Sequence, residues 1–240
     1  MIVSLADEVH GANFCDARLG QRLTRIVEEL GARPNDSSPG ATYSRAEMEG
    51  AYRFFDDGKV SPNRILEPHF QATRNRISQC SLVYLIQDTT ELDVTRPEQQ
   101  VSGAGPMDCE ARRGAFAHPL MAFSDAGVPL GLVWQKIWVR DKLAGTSKSE
   151  RKKKRFAKPI EEKESIRWIE GLRAAREVAQ VCPETTCVCV GDSESDIYEM
   201  FCEPRSTLAG ELHLLVRAGH NRTTTDHSNL LSKCRSTPAI

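Results

Sequence analysis

Apolar residues in the first third of the chain recur at helical spacing. Between Asp16 and Gly31, the residues Leu19, Leu23, Ile26, Val27 and Leu30 fall at i, i+4, i+7, i+8 and i+11, which is one helix face. Asp16 stands where an N-cap belongs, and Gly31 followed by Pro34 supplies a stop. A second helix is predicted from Ser44, with Glu47 completing a capping box and Met48, Ala51, Tyr52 and Phe55 as its apolar stripe. DDGKVSP reads as a turn. ILEPHFQATRNRI reads as a third helix, with Pro68 in its early turn or at a kink.

From about residue 81 the period changes. SLVYLIQD is too short for a buried helix and reads as a buried strand. FAHPLMAFS, the turn DAGVP and LGLVWQKIWVR read as a hairpin. PIEEKESIRWIEGLRAAREVAQ follows as a long amphipathic helix. TTCVCVGD is a strand, SDIYEMF a helix and LHLLVRAG a strand. A strand and hairpin followed by strand–helix alternation predicts an α/β fold with a mixed sheet. The order matches a ribonuclease-H-like core, and a helix-flanked mixed sheet of another topology fits nearly as well.

Composition excludes a few classes. No apolar run approaches the roughly 18 residues of a membrane span, and MIVSLADEVH lacks a secretory pattern, so the expected location is cytoplasmic. The eight cysteines include no C-x2-C pair, and Cys187 and Cys189 alternate with valines as small apolar strand residues. The net charge of −1 gives no overall pull toward nucleic acid. Its distribution is uneven: residues 136 to 158 hold ten Lys/Arg against two Asp/Glu. That segment is either a solvated loop or a phosphate-contacting one.

Asp88 and Asp192 end predicted strands. Carboxylates at the rim of a rigid sheet can converge on one point and hold two Mg²⁺ ions, hard cations that prefer oxygen ligands. Two such residues 104 positions apart are weak evidence alone, because a strand-end Asp is commonly a turn or cap residue. Asp125 reads as a turn residue and Asp196 as a helix cap. Glu161, Glu162 and Glu164 read as first-turn helix acids, and His118 and His213 as plain strand residues. Trp134 and Trp138 should face the same way, into a core. Phosphate-loop, G-x-S-x-G and H-E-x-x-H motifs are missing from the sequence.

NFCDARLGQRLTRIVEELG, EGAYRFFDDGKVSPNRI and LIQDTTELDVT resemble, in order, the start of bacterial insertion-sequence DDE transposases of the hairpin-forming cut-and-paste group, which are transposon-five transposase-like. GAFAHPLMAFSDAGVPLGLVWQKIWVR, EEKESIRWIEGL, VCVGDSESDIYEMF and LLVRAGHNR continue the resemblance, which spans roughly residues 6 to 222. It implies a helical domain over 1–78 that binds double-stranded DNA at transposon terminal inverted repeats. It implies a ribonuclease-H-like catalytic core over 79–240, with Mg²⁺ (Mn²⁺ substituting) held by two Asp and one Glu. The two Asp map to Asp88 and Asp192. Ser193 stands where the family often has Arg. The family's third acid lies in a Tyr-Arg-Glu-Lys-type signature with no match here, so the resemblance implies a core cut short before that acid and weak or no cleavage by this chain alone. It also implies dimerisation through a further C-terminal region. Arg217 resembles a family position near the DNA backbone, and Arg222 follows it in the same segment.

Three functions compete. One is a DNA transposase, truncated or split. A second is a non-catalytic DNA-end-binding protein or regulator, for which Arg18, Arg22, Arg25, Arg45 and Arg53 would contact DNA. Ten Lys/Arg against eleven Asp/Glu in the first 80 residues mean that these arginines must segregate to one side. A third is another ribonuclease-H-like nuclease that draws its last acid from Glu194 or Asp196.

Overall fold

The computed structural model describes residues 4–96, 98, 101–109, 111–141, 158–204 and 209–236. Of the basic segment, residues 142–157 lie outside the described residues. The chain divides into two compact units, one of residues 1–76 with 131–133, the other of 77–130 and 134–240. Among the described residues, no helix is long and apolar enough to cross a membrane.

The first unit is helical: α1 (Ala17–Ala32), α2 (Ser38–Ala41), α3 (Arg45–Phe55) and α4 (Pro62–Ile77). Asp16 caps α1 by accepting from the Arg18 amide, and Ser44 caps α3 by accepting from the Glu47 amide. Leu23 and Ile26 of α1 pack with Val9, Phe14, Ala51 and Phe54, and the Phe14 and Phe54 rings meet edge to face at 5.6 Å. The buried stripe of α3 is Gly50, Ala51 and Phe54, so the expected stripe is corrected: Tyr52 and Phe55 are exposed. Adjacent aromatics share a hydropathy signal, and the one that meets the Phe14 ring is buried. Helix α4 begins at Pro62, three residues before the predicted start. Pro62 has no amide to satisfy in the first turn, whereas Pro68 lies in the interior, not the early turn, and leaves the Arg64 carbonyl without its helical donor.

The second unit is built on a mixed sheet of β1 (Leu82–Gln87), β2 (Thr90–Asp93), β3 (Gly105–Pro106), β4 (Arg113–Ser124), β5 (Pro129–Trp138), β6 (Thr186–Gly191) and β7 (Glu211–Val216). Helix α5 (Ile166–Val181) joins β5 to β6, α6 (Tyr198–Cys202) joins β6 to β7, and α7 (Leu230–Ser236) follows. Strand β4 runs antiparallel to β1, while β6 lies parallel to β1 and β7 parallel to β6. Strand β5 pairs the other side of β4. The order β5-β4-β1-β6-β7 sets an antiparallel hairpin on one side and parallel strands on the other, the mixed α/β sheet expected from the sequence. Strands β2 and β3 were not predicted. Gln87 pairs with Leu120 and Thr90 with Ala117, so β1 and β2 run along β4 in one register, with Asp88 and Thr89 between them.

Alternation along the strands separates two faces. Val83, Leu85, Gln87, Leu120, Ala122, Cys187 and Cys189 are buried beneath α5, whose Trp168, Ile169, Leu172 and Ala175 are almost fully enclosed. Burial pushes the Cys187 and Cys189 thiols up to about 12, so both stay protonated as apolar filler. The opposite face carries Tyr84, Ile86, Val188, Val190 and Leu215, and Ile86 is 38 % and Leu215 57 % exposed. Helix α5 starts at Ile166, not at Pro159, because residues 160–162 form a separate turn of 3-10 helix. Glu164 therefore lies ahead of the helix and ion-pairs with Arg140 at 2.6 Å, which corrects its reading as a first-turn acid.

Candidate metal centre and nucleic-acid contacts

Strand register brings the two predicted aspartates together. Ile86 pairs with Val190, the last pair of the parallel β1–β6 ladder, so Asp88 and Asp192 each lie two residues past it, at the same end of neighbouring strands. Gly191 pairs with Val216, so the next step sets Asp192 beside Arg217, whose amide donates to the Gly191 carbonyl at 3.1 Å. Asp88, Asp192 and Arg217 thus form one row across three strand ends, with neighbouring strands about 4.8 Å apart. All three residues are exposed. Asp88 Oδ1 accepts from the Thr89 amide at 2.7 Å, and Asp192 Oδ1 accepts from the Glu194 amide at 2.8 Å. Each carboxylate keeps its other oxygen available.

Two oxygen-donor carboxylates side by side at a rigid rim fit a hard divalent cation. Among the described residues, no group of three or more His, Cys, Asp and Glu is placed to hold a metal ion. Glu194 and Asp196, the other candidate acids after β6, are engaged elsewhere. Glu194 bonds Arg167 at 2.8 Å. Asp196 is buried and accepts from the Gly219 and His220 amides at 2.7 Å and from Arg222 Nη2 at 2.7 Å. Burial alone would raise the Asp196 carboxyl, but Arg222 and the two amides outweigh it and hold it at about 2. Asp196 is thus not the helix cap it was read as: Ile197 occupies the cap of α6, and Asp196 ties down the segment after β7. These engagements argue against Glu194 or Asp196 as a third metal acid.

Behind the acidic row lies a buried polar chain. Arg167 Nε donates to Thr89 Oγ1 at 2.8 Å, and the Thr89 hydroxyl meets His118 Nδ1 at 2.8 Å. His118 Nε2 meets Gln87 Oε1 at 3.1 Å, and Gln87 Nε2 donates to Cys189 Sγ at 3.3 Å. The contact with Gln87 Oε1 calls for a proton on His118 Nε2, and a neutral ring leaves Nδ1 to accept the Thr89 hydroxyl. Burial, then the Arg167 charge, then the Lys136 charge, bring His118 down to about 3, which keeps it neutral. Its ring also meets Trp168 edge to face at 4.6 Å. His118 is more than a plain strand residue, and this chain was missed. Its signal lay in the segments QDTT, EEKESIRW and GDSESD, whose polar residues around the two aspartates supply most of it.

The N-terminal arginines divide. Arg18, Arg22 and Arg53 line one shallow cleft with Asp16, Asp57, Leu19, Gly50 and Phe54. The Arg22 guanidinium lies so close over Gly50 that a Cβ there would sit 2.6 Å from Nη1. Arg45 pairs with Glu49 along α3 at 2.9 Å, and Arg25 reaches Glu47 at 3.2 Å. Arg222 is committed to Asp196, whereas Arg217 is exposed at its strand end. Of the basic segment, Lys136 and Lys158 pair with Glu170 and Glu162.

Comparison with known proteins bears on the first unit. Residues 4–60 match the family model described as "Transposase DNA-binding". The match supports a transposase and a DNA-binding role, and it contains Arg18, Arg22, Arg45 and Arg53. No curated protein matches the chain. A solved structure described as the crystal structure of the Mos1 strand transfer complex is 12 % identical with a TM-score of 0.22, over 89 % of this chain and 63 % of that one. The chain spans less than two thirds of that relative, and a likeness of this size carries no argument about fold or chemistry.

Proposed function

We propose that this chain is part of a DNA transposase of the hairpin-forming cut-and-paste group. Its first unit would bind terminal inverted repeats, and its second would carry two acids of a divalent-metal centre. The observation that carries the reading is the adjacency of Asp88 and Asp192 on neighbouring parallel strands, in a chain whose residues 4–60 match a transposase DNA-binding family.

Asp88 and Asp192 would hold Mg²⁺ or Mn²⁺ through their free carboxylate oxygens. Such ions, when bound, supply charge stabilisation for the attacking and leaving oxygens of a phosphodiester. The chain's own residues do the positioning. The Thr89 and Glu194 amides fix the two carboxylates, and Arg217 places a cation beside them where a DNA phosphate would approach. Arg18, Arg22 and Arg53, gathered on one cleft, would contact the DNA backbone. Two carboxylates hold metal less firmly than three, so cleavage by these residues unaided is expected to be weak, and a further acid and a second copy of the protein would complete the assembly.

The test is binding and Mg²⁺-dependent cleavage of the element's terminal inverted repeat. Binding that weakens with salt, with a log–log slope lowered by roughly one for each of Arg18, Arg22 and Arg53 replaced by Ala, supports the DNA-contact assignment. Cleavage that disappears in Asp88→Asn or Asp192→Asn supports the metal assignment. Repeat binding with no cleavage under any metal condition favours the regulator reading, which the confinement of the family match to residues 4–60 also motivates.

A further inference from the structure

We infer that Arg167 is a positioning residue that sets the separation of Asp88 and Asp192. The inference rests on the metal-centre reading above. Arg167 reaches both acid-bearing segments from α5: Nε donates to Thr89 Oγ1, adjacent to Asp88, and Nη2 donates to Glu194 Oε2, two residues beyond Asp192. Its Nη1 donates to the Glu164 carbonyl at 3.0 Å, so the guanidinium is held on three sides. The side chain is 11 % exposed and lies against the Trp138 and Trp168 rings, at 5.6 and 5.4 Å from their centroids.

Position explains why one side chain can do this. Asp88, Asp192 and Arg217 are exposed at the strand ends, whereas Gln87 and the buried chain lie against α5. A group beneath the sheet can therefore link two strand ends without occupying the metal positions above. Guanidinium suits the task, because a planar fork of donors fixes direction as well as distance. Thr89 then passes the constraint to His118 and Gln87, so the backbone on both sides of Asp88 is anchored to β4 and β6. Groups that orient a metal ligand from behind characteristically change metal affinity by about 10–100-fold.

The experiment measures Mn²⁺ binding to the full chain by electron paramagnetic resonance, well below the melting temperature of each variant. Wild type, the double variant Asp88→Asn/Asp192→Asn, Arg167→Ala, Arg167→Lys, Thr89→Val and Thr89→Ser are compared. Binding in the wild type should vanish in the double variant. Arg167→Ala should weaken it by about 10–100-fold and change the bound-Mn²⁺ spectrum. Arg167→Lys should not restore it, because an ammonium cannot span Thr89 and Glu194 in the same geometry. Thr89→Val should weaken binding several-fold, and Thr89→Ser, which keeps the hydroxyl, should restore it. If Arg167→Ala fails to fold, the Thr89 pair decides. Wild-type affinity and spectrum in folded Arg167→Ala and Thr89→Val would overturn the positioning role and leave the metal centre standing. Mn²⁺ binding that is missing from the wild type, or indifferent to the double variant, would instead overturn the metal centre and this inference with it.

Discussion

The two faces of the sheet spend their polar groups differently. Beneath α5, Gln87, Thr89, His118 and Arg167 all find partners inside the protein. On the other face, Asp88 and Asp192 each accept one local amide, while Ile86 and Leu215 remain substantially exposed. On the enclosed face these four side chains are occupied with one another, and the open face has little to hold itself in place. In the proposed metal centre, the carboxylate pair would stay available to a cation while the backbone that carries it is fixed from behind.

This contrast can be broken on its enclosed side first. Trp168→Ala empties the space against His118 and should cost roughly 3–5 kcal/mol in chemical denaturation followed by circular dichroism, the range for deleting a buried large aromatic. A loss under 1 kcal/mol would show that α5 is not what seals this face. Next comes pH. His118 sits at about 3 when folded and near 6.5 when unfolded, so the unfolded chain takes up the proton first. Stability should therefore fall as pH drops from about 6.5 toward 3, by at most about 1.4 kcal/mol per unit from this group. His118→Phe should flatten that slope, and an unchanged slope would mean that His118 is not protected as described. Gly171→Ala should act less strongly and more locally. Its new methyl collides with Gln87 Oε1, so the loss should be roughly 1–3 kcal/mol, together with altered Mn²⁺ binding.

The open side should yield the smallest stability changes. Asp88→Asn and Asp192→Asn should shift the denaturation midpoint by no more than about 0.5 kcal/mol, since Asn can keep the same amide contact. A loss above 2 kcal/mol would mark these aspartates as structural. Ile86→Thr and Leu215→Thr should be close to neutral in stability, because both side chains are already substantially exposed.

Much of this contrast was legible in the sequence. The short apolar runs in SLVYLIQD and TTCVCVGD located both strands, and their terminal aspartates followed. What an apolar run cannot supply is the partner of each strand, so the common strand end of Asp88, Asp192 and Arg217 emerged only from register. Arg222 was read as a DNA contact because it follows Arg217 in the LLVRAGHNR segment of the resemblance, yet it is bound to Asp196, 26 residues away. Arg167 was hidden for the same reason, because its partners are 78 and 27 residues distant. The predicted stripe on α3 failed on Tyr52 and Phe55, since hydropathy cannot tell which of three neighbouring aromatics meets Phe14.

The shared register of β1 and β2 along β4 has a kinetic corollary. Asp88 and Thr89 are flanked on both sides by residues bonded to the same neighbour, with Gln87 opposite Leu120 and Thr90 opposite Ala117. They form a short gap in a ribbon, not the tip of a swinging loop. A ligand arriving there would freeze few torsions, so little conformational entropy would oppose capture. In deuterium exchange, the amides bracketing the gap should open only with the sheet itself, whether or not a cation is present.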